Sequence, residues 1–493
     1  MSAPTTDVTI QHQAPRLLGD HAIVVGAGMA GLGIAQALTT GFRRVTVVER
    51  DRLPTGSEHR RGVPQDRHLH LLLPAGINAL EHLFGGLVAQ LRDDGAVTAG
   101  TDRIRLCLNG HRLAPARSGQ PALFASRPFL EAHVRRRVLA EPSITMREQA
   151  RVTGLVLSDD RRRVEGIEIA AAHGGATQVL GAELVVDCSG RRSLLPGWLT
   201  ELGHRAPEIT ELDVGVQYAT RRYELPDVVL DGDRHILVGP TPDGPRGGAM
   251  TNVEDGSWLV TLFAMAGERA PTDDRSFERF AAQLPIGDIH QAIGAGRALD
   301  QPARYRFPTN RRHHYEQLHE LPAGLLAAGD SVCSFNPIYG QGMSVAALEA
   351  KALQAQLRHG TDPSARSWFR QIAGVIDTAW QLAVGADLAV EAIEGRRPIP
   401  VRILNRYLFR LQAAAVHDPR LTAQLIRVVG LVDPPARLLH PTMSWPVLRH
   451  ALQTGRNTRQ PPCRKMSITT RGGSSSRSTA KGRRSSSPTK NWW

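Results

Sequence analysis

A glycine triplet set between two apolar runs constrains this chain more than anything else in it. In HAIVVGAGMAGLGIAQALTT, Gly26, Gly28 and Gly31 follow a strand-like run and open a small-residue helix, and the next run, VTVVER, ends at Glu49. Gly26 permits a tight turn, Gly28 lets a pyrophosphate approach the backbone, and Gly31 lets the helix pack on the strand. The helix start, through Met29 and Ala30, offers unpaired N–H groups and a positive dipole end to phosphates. Glu49 lies 23 residues beyond Gly26, where an acid can accept a hydrogen bond from a ribose hydroxyl. A dinucleotide-binding βαβ unit from about His21 to Asp51 follows from this pattern.

A second glycine constellation lies at residues 329–350, GDSVCSFNPIYGQGMSVAALEA. An apolar run, GLLAAGD, ends at Asp330, which is suited to hold a ribityl or ribose hydroxyl. Pro337, Gly340 and Gly342 shape a short loop, and a helix is predicted from Met343 and Ser344. Its unpaired N–H groups suit an electron-rich ring oxygen. Alone this is an ordinary βα loop; paired with the first fingerprint, it points to the far end of the same cofactor.

Between the constellations, ARVTGLVL, RVEGIEIAA and TQVL alternate as strands of a small meander, and LVVDCSG (184–190) reads as a buried strand. Alternation over residues 210–268 predicts an antiparallel sheet, a different layer suited to substrate binding. Residues 365–455 read as largely helical. The N-terminus is polar, unlike a secretory signal, and no apolar run is long enough to span a bilayer. Cys107, Cys188, Cys333 and Cys463 lack metal-ligand spacing and form no evident disulfide framework, so a cytoplasmic setting is expected. From Arg456 to Trp493 there are ten Lys/Arg and no Asp or Glu, so most of the net charge of +13 sits in that segment. It reads as a disordered basic tail.

The combination resembles the class A FAD-dependent monooxygenases, the family of aromatic hydroxylases and squalene epoxidase. The resemblance rests on GAGMAG with Glu49, the arginine of SRPFLEAHV (Arg127), VVDCSGRRS and GDSVCSFNPIYGQGM, and it extends to about residue 455. RRGVPQDRHLHLLLPAG, with NPIYGQGM, is more narrowly similar to bacterial polyketide epoxidases of polyether biosynthesis. The resemblance implies an α/β fold: a Rossmann-like FAD domain of the glutathione-reductase type, an inserted antiparallel-sheet substrate domain and a C-terminal helical region. The corresponding division is a disordered N-terminus (1–20), FAD-binding segments (21–84, 126–195, 321–360), substrate-domain segments (85–125, 196–320), helices (361–455) and the basic tail (456–493).

On this resemblance, Gly26, Gly28, Met29, Ala30, Gly31, Glu49 and Arg50 would hold the pyrophosphate and adenosine ribose. Arg61 in the basic loop and Arg127 would reach the FAD. Asp330 would contact its ribityl–pyrophosphate region, and Pro337, Gly340, Gly342 and Met343 would line the ring. Asp187 stands in DCSGRRS, where many hydroxylases have a plain Asp-Gly, so its role is either cofactor binding or local structure.

The chemistry implied is oxygen transfer from a flavin C4a-hydroperoxide to an electron-rich carbon. The protein supplies orientation and a dry cavity. NAD(P)H, or reduced flavin from a partner reductase, would supply electrons. The expected substrate is a large apolar polyketide or polyene, with Trp258, Val260, Leu262 and Ala264 offering an apolar strand face. A phenol hydroxylase, or an FAD-dependent reductase or cyclase, is the alternative. A catalytic acid or base is not identifiable. The His68–His70 and His313–His314 pairs lack further ligands at metal spacing, so no metal is expected, and His68 and His70 would stand beside the flavin. Halogenases are disfavoured because their Trp-x-Trp-x-Ile-Pro motif is absent and Lys351 is the only lysine before the tail. A nucleic-acid-binding protein would rest on the tail alone.

Overall fold

A computed structural model of the chain describes residues 17–171, 176–360 and 363–457. Strand β1 (Gly19–Val25), helix α1 (Met29–Leu38) and strand β2 (Phe42–Val48) form the opening unit. β1 therefore begins inside the N-terminal stretch expected to be disordered; the rest of that stretch, 1–16, lies outside the described residues. A five-stranded parallel sheet grows around β1 in the order Leu325–Ala327, Leu184–Asp187, β1, β2, Ile144–Arg147. Val24 pairs with Val47 on one side and Val186 on the other. Both faces of such a sheet are covered, which is why its strands read as apolar runs.

The meander forms its own three-stranded antiparallel sheet, Ala150–Leu157, Val164–Ala171 and Gln178–Gly181. The larger sheet has nine strands. Its centre is the expected set, Ile209–Glu224, Trp258–Ala264, Arg246–Asn252 and His235–Val238. Two additions were not read from the sequence. Ala303–His313 pairs along Ile209–Glu224, and Ile104–Leu108 joins the other edge in parallel with His235–Val238.

The strand Trp258–Ala264 is buried along its whole length. Trp258, Val260, Leu262 and Ala264, expected to face substrate, instead pack with Phe277, Phe280, Ile289 and Ile293 of the helices Asp274–Ala282 and Asp288–Ala295. This face is the sheet's own core. The opposite face, carrying Thr261 and Phe263, turns toward the cofactor domain.

Four longer helices follow: Ala365–Asp387, Ile399–Ala415, Pro419–Val429 and Pro441–Asn457. The last includes Arg456 and Asn457, the first two residues of the segment expected to be a disordered tail; residues 458–493 lie outside the described residues. The helix Ala365–Asp387 is capped by Ser364, whose side chain accepts from the Ser367 N–H. Near its start, fully buried Trp368 donates from Nε1 to the Ala327 carbonyl at 2.8 Å, fixing the helix to the parallel sheet. No helix among the described residues is long and apolar enough to cross a membrane.

The packing of the large sheet gives a direct test. Leu262→Ala would open a cavity in a fully buried core and is expected to cost about 2–5 kcal/mol in thermal or urea unfolding. FAD absorbance per folded molecule should be unchanged. A loss of flavin at unchanged stability would mean that this face is not the core.

Candidate functional site

The three glycines of the first fingerprint have three different reasons to lack a side chain. Gly26 has φ +100°, and a Cβ there would meet the Cys188 carbonyl oxygen at 2.6 Å. At Gly31 a Cβ would stand 1.8 Å from the Gly26 oxygen. Gly28 has an ordinary backbone (φ −78°), and a Cβ would meet nothing within 4 Å. The space before Gly28 is thus open, and no side chain caps the start of α1. An anion placed there would meet the N–H groups of the Met29–Gly31 turn and the positive end of the helix.

Glu49, just past β2, is buried. It accepts from the Ala27 N–H (2.8 Å) and the Asp51 N–H (3.0 Å). It also pairs with the Arg60 guanidinium at 2.9 Å. Arg60 is itself buried, bonds the Ala27 carbonyl at 2.9 Å and pairs with Glu131 of the helix Arg127–Leu139. The two neighbouring carboxylates hold its pKa above the usual arginine value against the desolvation that opposes them. Arg50 and Arg61 are exposed. The basic loop thus turns Arg60, rather than Arg61, toward the cradle.

Arg127 occupies the first turn of its helix behind the N-cap Ser126, which Glu254 holds through both the Ser126 N–H (2.7 Å) and hydroxyl. Its guanidinium approaches Glu131 at 3.5 Å, while its Nε is buried without a partner. Asp330 lies across the same cleft. The residue is open to the cleft, and its carboxyl makes no hydrogen bond among the described residues. The surrounding protein raises its pKa, and Arg127 and Arg191 pull it back. Gly329, with φ +65°, packs so closely on Ala30 that a Cβ would stand 2.7 Å from the alanine Cβ, which joins the two constellations directly. Behind it, buried Glu349 accepts from the Gly329 N–H at 2.6 Å, and burial lifts its pKa to about 8.

Pro337, Gly340, Gly342 and Met343 continue the wall. Gly340 has φ +66°, and its Cα faces Leu71. The helix Gly342–Arg358 starts without a side-chain cap. Asn336, Tyr339 and Asn310 all donate to one buried carboxylate, Asp387, at 2.8, 2.8 and 2.6 Å. Burial raises Asp387 to about 6 although these hydrogen bonds act to lower it. Asp187, by contrast, accepts from the Ser189 N–H and the Ser193 hydroxyl.

The loop Pro337–Gly340 also lines a cavity of about 40 Å³ with His68, His70, Tyr218, Tyr305 and Phe263. His68 is 5% exposed; its Nδ1 shares a hydrogen bond of 2.7 Å with Thr220, and Thr220 shares one of 2.6 Å with Thr261. Its Nε2 is buried without a partner. Burial, aided by nearby Arg67, pushes His68 down to about 4; burial and Arg127 push His70 to about 3. Both imidazoles are neutral near pH 7. The Cys188 and Cys333 thiols are held well above their usual range by burial, so neither is a ready nucleophile. His314 is engaged by Glu316 and Thr210. Among the described residues no group of three or more His, Cys, Asp or Glu is arranged to hold a metal.

Arg60, Tyr218, Tyr305 and the Thr220–Thr261 pair escaped the sequence reading. The signal for Arg60 was limited to the pair Arg60–Arg61, which does not say which faces inward. The others depend on which face of a sheet buried on both sides meets the cleft. The open space at Gly28, the free carboxylate of Asp330 and the orphaned Nε of Arg127 together suit a dinucleotide cofactor with a pyrophosphate and polyhydroxyl chain.

Residues 22–276 match the FAD dependent oxidoreductase family. Over 461 residues the chain is 32% identical to Protein Rv3254 of Mycobacterium tuberculosis (strain ATCC 25618 / H37Rv), covering 88% of this chain and 93% of that protein. Among solved structures, the flavin-dependent brominase Bmp2 superposes with a TM-score of 0.62 at 12% identity, covering 90% of this chain and all of that one. The p-nitrophenol 4-monooxygenase PnpA from Pseudomonas putida DLL-E4 gives 0.59 at 18% identity, covering 85% and 99%. At these identities the structural likeness establishes the fold.

Two outcomes are expected. Gly28→Val should keep the cofactor-free melting temperature, because the added atoms enter open space, yet abolish FAD retention measured by absorbance. Arg60→Met should destabilise by about 3–5 kcal/mol by stranding two buried carboxylates, while Arg61→Ala should stay within about 0.5 kcal/mol. A further expectation concerns pH. His68 and His235 are both held neutral by burial with pKa values near 4, against 6.5 when exposed. The unfolded chain therefore binds more protons between those values. The contribution of these histidines to stability should fall as pH drops from 6.5 toward 4, by up to about 1.4 kcal/mol per unit each, while the raised carboxyls of Glu349 and Asp387 act in the opposite sense over the same window. His235→Phe should flatten that slope in pH-dependent melts.

Proposed function

The chain belongs to the FAD-dependent oxidoreductases, and on that premise we propose that it is a monooxygenase that epoxidises or hydroxylates an apolar organic substrate. One observation carries this reading: the loop Pro337–Gly340 ends the cofactor cradle and also walls the cavity that holds His68, Tyr218 and Tyr305. Cofactor ring and substrate would share that wall. The phosphates would lie at Gly26–Gly31 with Arg127 opposite, and Asp330 would take a hydroxyl of the ribityl chain. FAD held there would supply the oxygen-transfer chemistry, with electrons from NAD(P)H or reduced flavin, the transferred atom from molecular oxygen and the second oxygen atom released as water.

The protein's own contribution is exclusion of water and orientation. Leu69, Leu71, Leu237, Ala249, Phe263 and Ile338 supply apolar walls, which supports the polyketide or polyene substrate. The cavity's 40 Å³ is far below the roughly 300–1,000 Å³ of drug-sized ligand sites, so a long substrate requires outward movement of the loops around His68–Leu71 or Pro337–Gly340. A compact phenol-type substrate is the second reading, favoured by that narrow volume and by the unpartnered Nε2 of His68. When Nδ1 donates to Thr220, the neutral imidazole presents Nε2 as an acceptor for a hydroxyl group. With its pKa near 4 it positions such a group better than it deprotonates it. Lys351, on the helix Gly342–Arg358, is exposed and does not line the cavity, which gives no support to a halogenating lysine.

The deciding experiment couples oxygen uptake to product mass. Purified protein with FAD, a reduced nicotinamide or reduced flavin, and panels of polyenes and simple phenols should consume oxygen only with a true substrate. The product should gain one oxygen atom. Oxygen-independent addition or removal of hydrogen would instead favour a reductase. If phenols are turned over, His68→Phe should lower kcat/KM by about tenfold, the worth of one neutral hydrogen bond. If only polyenes react, that substitution should matter little.

A further inference from the structure

The helices Ile399–Ala415 and Pro441–Asn457 pack side by side, with Leu411, Ala414, Ala415, Leu438 and Val447 turned inward into a small core. Their outer faces are unusual. Of fifteen large hydrophobic side chains exposed among the described residues, nine lie between Ile399 and Leu452. Ile399, Ile403, Trp445 and Leu452 are 68%, 65%, 67% and 62% exposed. An apolar groove of about 480 Å³ runs between the helices, lined by Ile403, Tyr407, Trp445, Leu448, Arg406 and Arg410 among others.

The charge on this layer has one sign. Arg402, Arg406, Arg410, Arg437 and Arg449 are exposed and have no ion pair among the described residues. The two acids of the segment are already engaged, Asp418 by Arg420 and Asp433 by Arg427. The sequence beyond Asn457 adds nine Lys/Arg and no acid. A second copy seated symmetrically here would set this arginine stripe against itself, and the chain's own basic segment carries the same sign. The complementary occupant is extended, apolar and anionic. Amphipathic helices with arginines on the polar side and Trp and Leu on the other lie in the plane of a lipid interface. A polybasic stretch beside such a helix is the pattern attracted to acidic headgroups.

We propose that the two helices form a docking surface for a bilayer containing acidic phospholipids, with Trp445, Leu448, Leu452 and Ile403 entering the interface. The inference is independent of the oxygenation chemistry. In flotation assays the full FAD-loaded chain should rise with vesicles of phosphatidylcholine and phosphatidylglycerol. It should not rise with phosphatidylcholine alone, and salt should weaken the interaction. Trp445→Ser/Leu448→Ser/Leu452→Ser should lower partitioning by roughly tenfold or more at equal flavin content and melting temperature. If that variant is unstable, Ile399→Ser/Ile403→Ser on the other helix should give the same loss. A chain ending at Asn457 should still bind at low salt, more weakly.

Absence of binding to acidic vesicles would overturn the proposal. So would binding unaffected by either apolar variant but lost with the basic segment. A wild-type dimer in light scattering that the apolar variant converts to monomer would assign the face to a second copy instead. Equal affinity for soluble polyglutamate and for acidic vesicles would assign it to an acidic protein.

Discussion

The buried guanidinium of Arg60 is the contact on which the site depends. It lies between Glu49 at the end of β2 and Glu131 on the helix Arg127–Leu139, and it also bonds the carbonyl of Ala27 in the glycine turn. Three separate segments meet at one cation. Burying an ion pair is favourable only when further hydrogen bonds satisfy both partners. Here the Ala27 and Asp51 N–H groups complete Glu49. The basic loop is thereby pinned at its start, and a few residues on the same loop delivers His68 and His70 to the cavity. Cradle and cavity are two ends of one anchored segment.

The same economy appears on the other side of the cleft. Gly329 packs against Ala30, so the second glycine constellation is registered on the first by direct contact. Asp330 faces the cleft from there, and the loop after it leads to the cavity wall. Electrostatics and shape agree: the open positions are Gly28 and Asp330, while the carboxylates of Glu49, Asp187 and Asp387 are consumed by protein donors. Glu49 is thus already heavily bonded by the protein where the fingerprint assigns it to a ribose.

Much of this was legible in the sequence because it rests on short-range chemistry. The glycine spacing, the apolar parallel strands and the strand-end Asp330 are local patterns with local reasons. What was not legible depended on distant partners. The strand Ala303–His313 is rich in arginine, and its pairing with Ile209–Glu224 outweighs its polar composition. Trp258–Ala264 is buried on both faces, so alternation could not reveal that Leu262 faces the core and Thr261 the cavity. Arg60 and Arg61 are chemically equal in the sequence, and only the buried carboxylates of two other segments distinguish them.

The helix Ala365–Asp387 has a mechanical meaning beyond its place in the fold. Trp368 near one end is fastened to Ala327 of the parallel sheet, and Asp387 at the other gathers Asn310, Asn336 and Tyr339 at the cavity wall. At 1.5 Å per residue, the two fastenings are about 28 Å apart along a rigid rod. The helix is a tie rod between two layers built from unrelated parts of the chain. It fixes their separation by its own length, so the gauge of the cleft is counted in helical residues rather than left to the contacts that fill it.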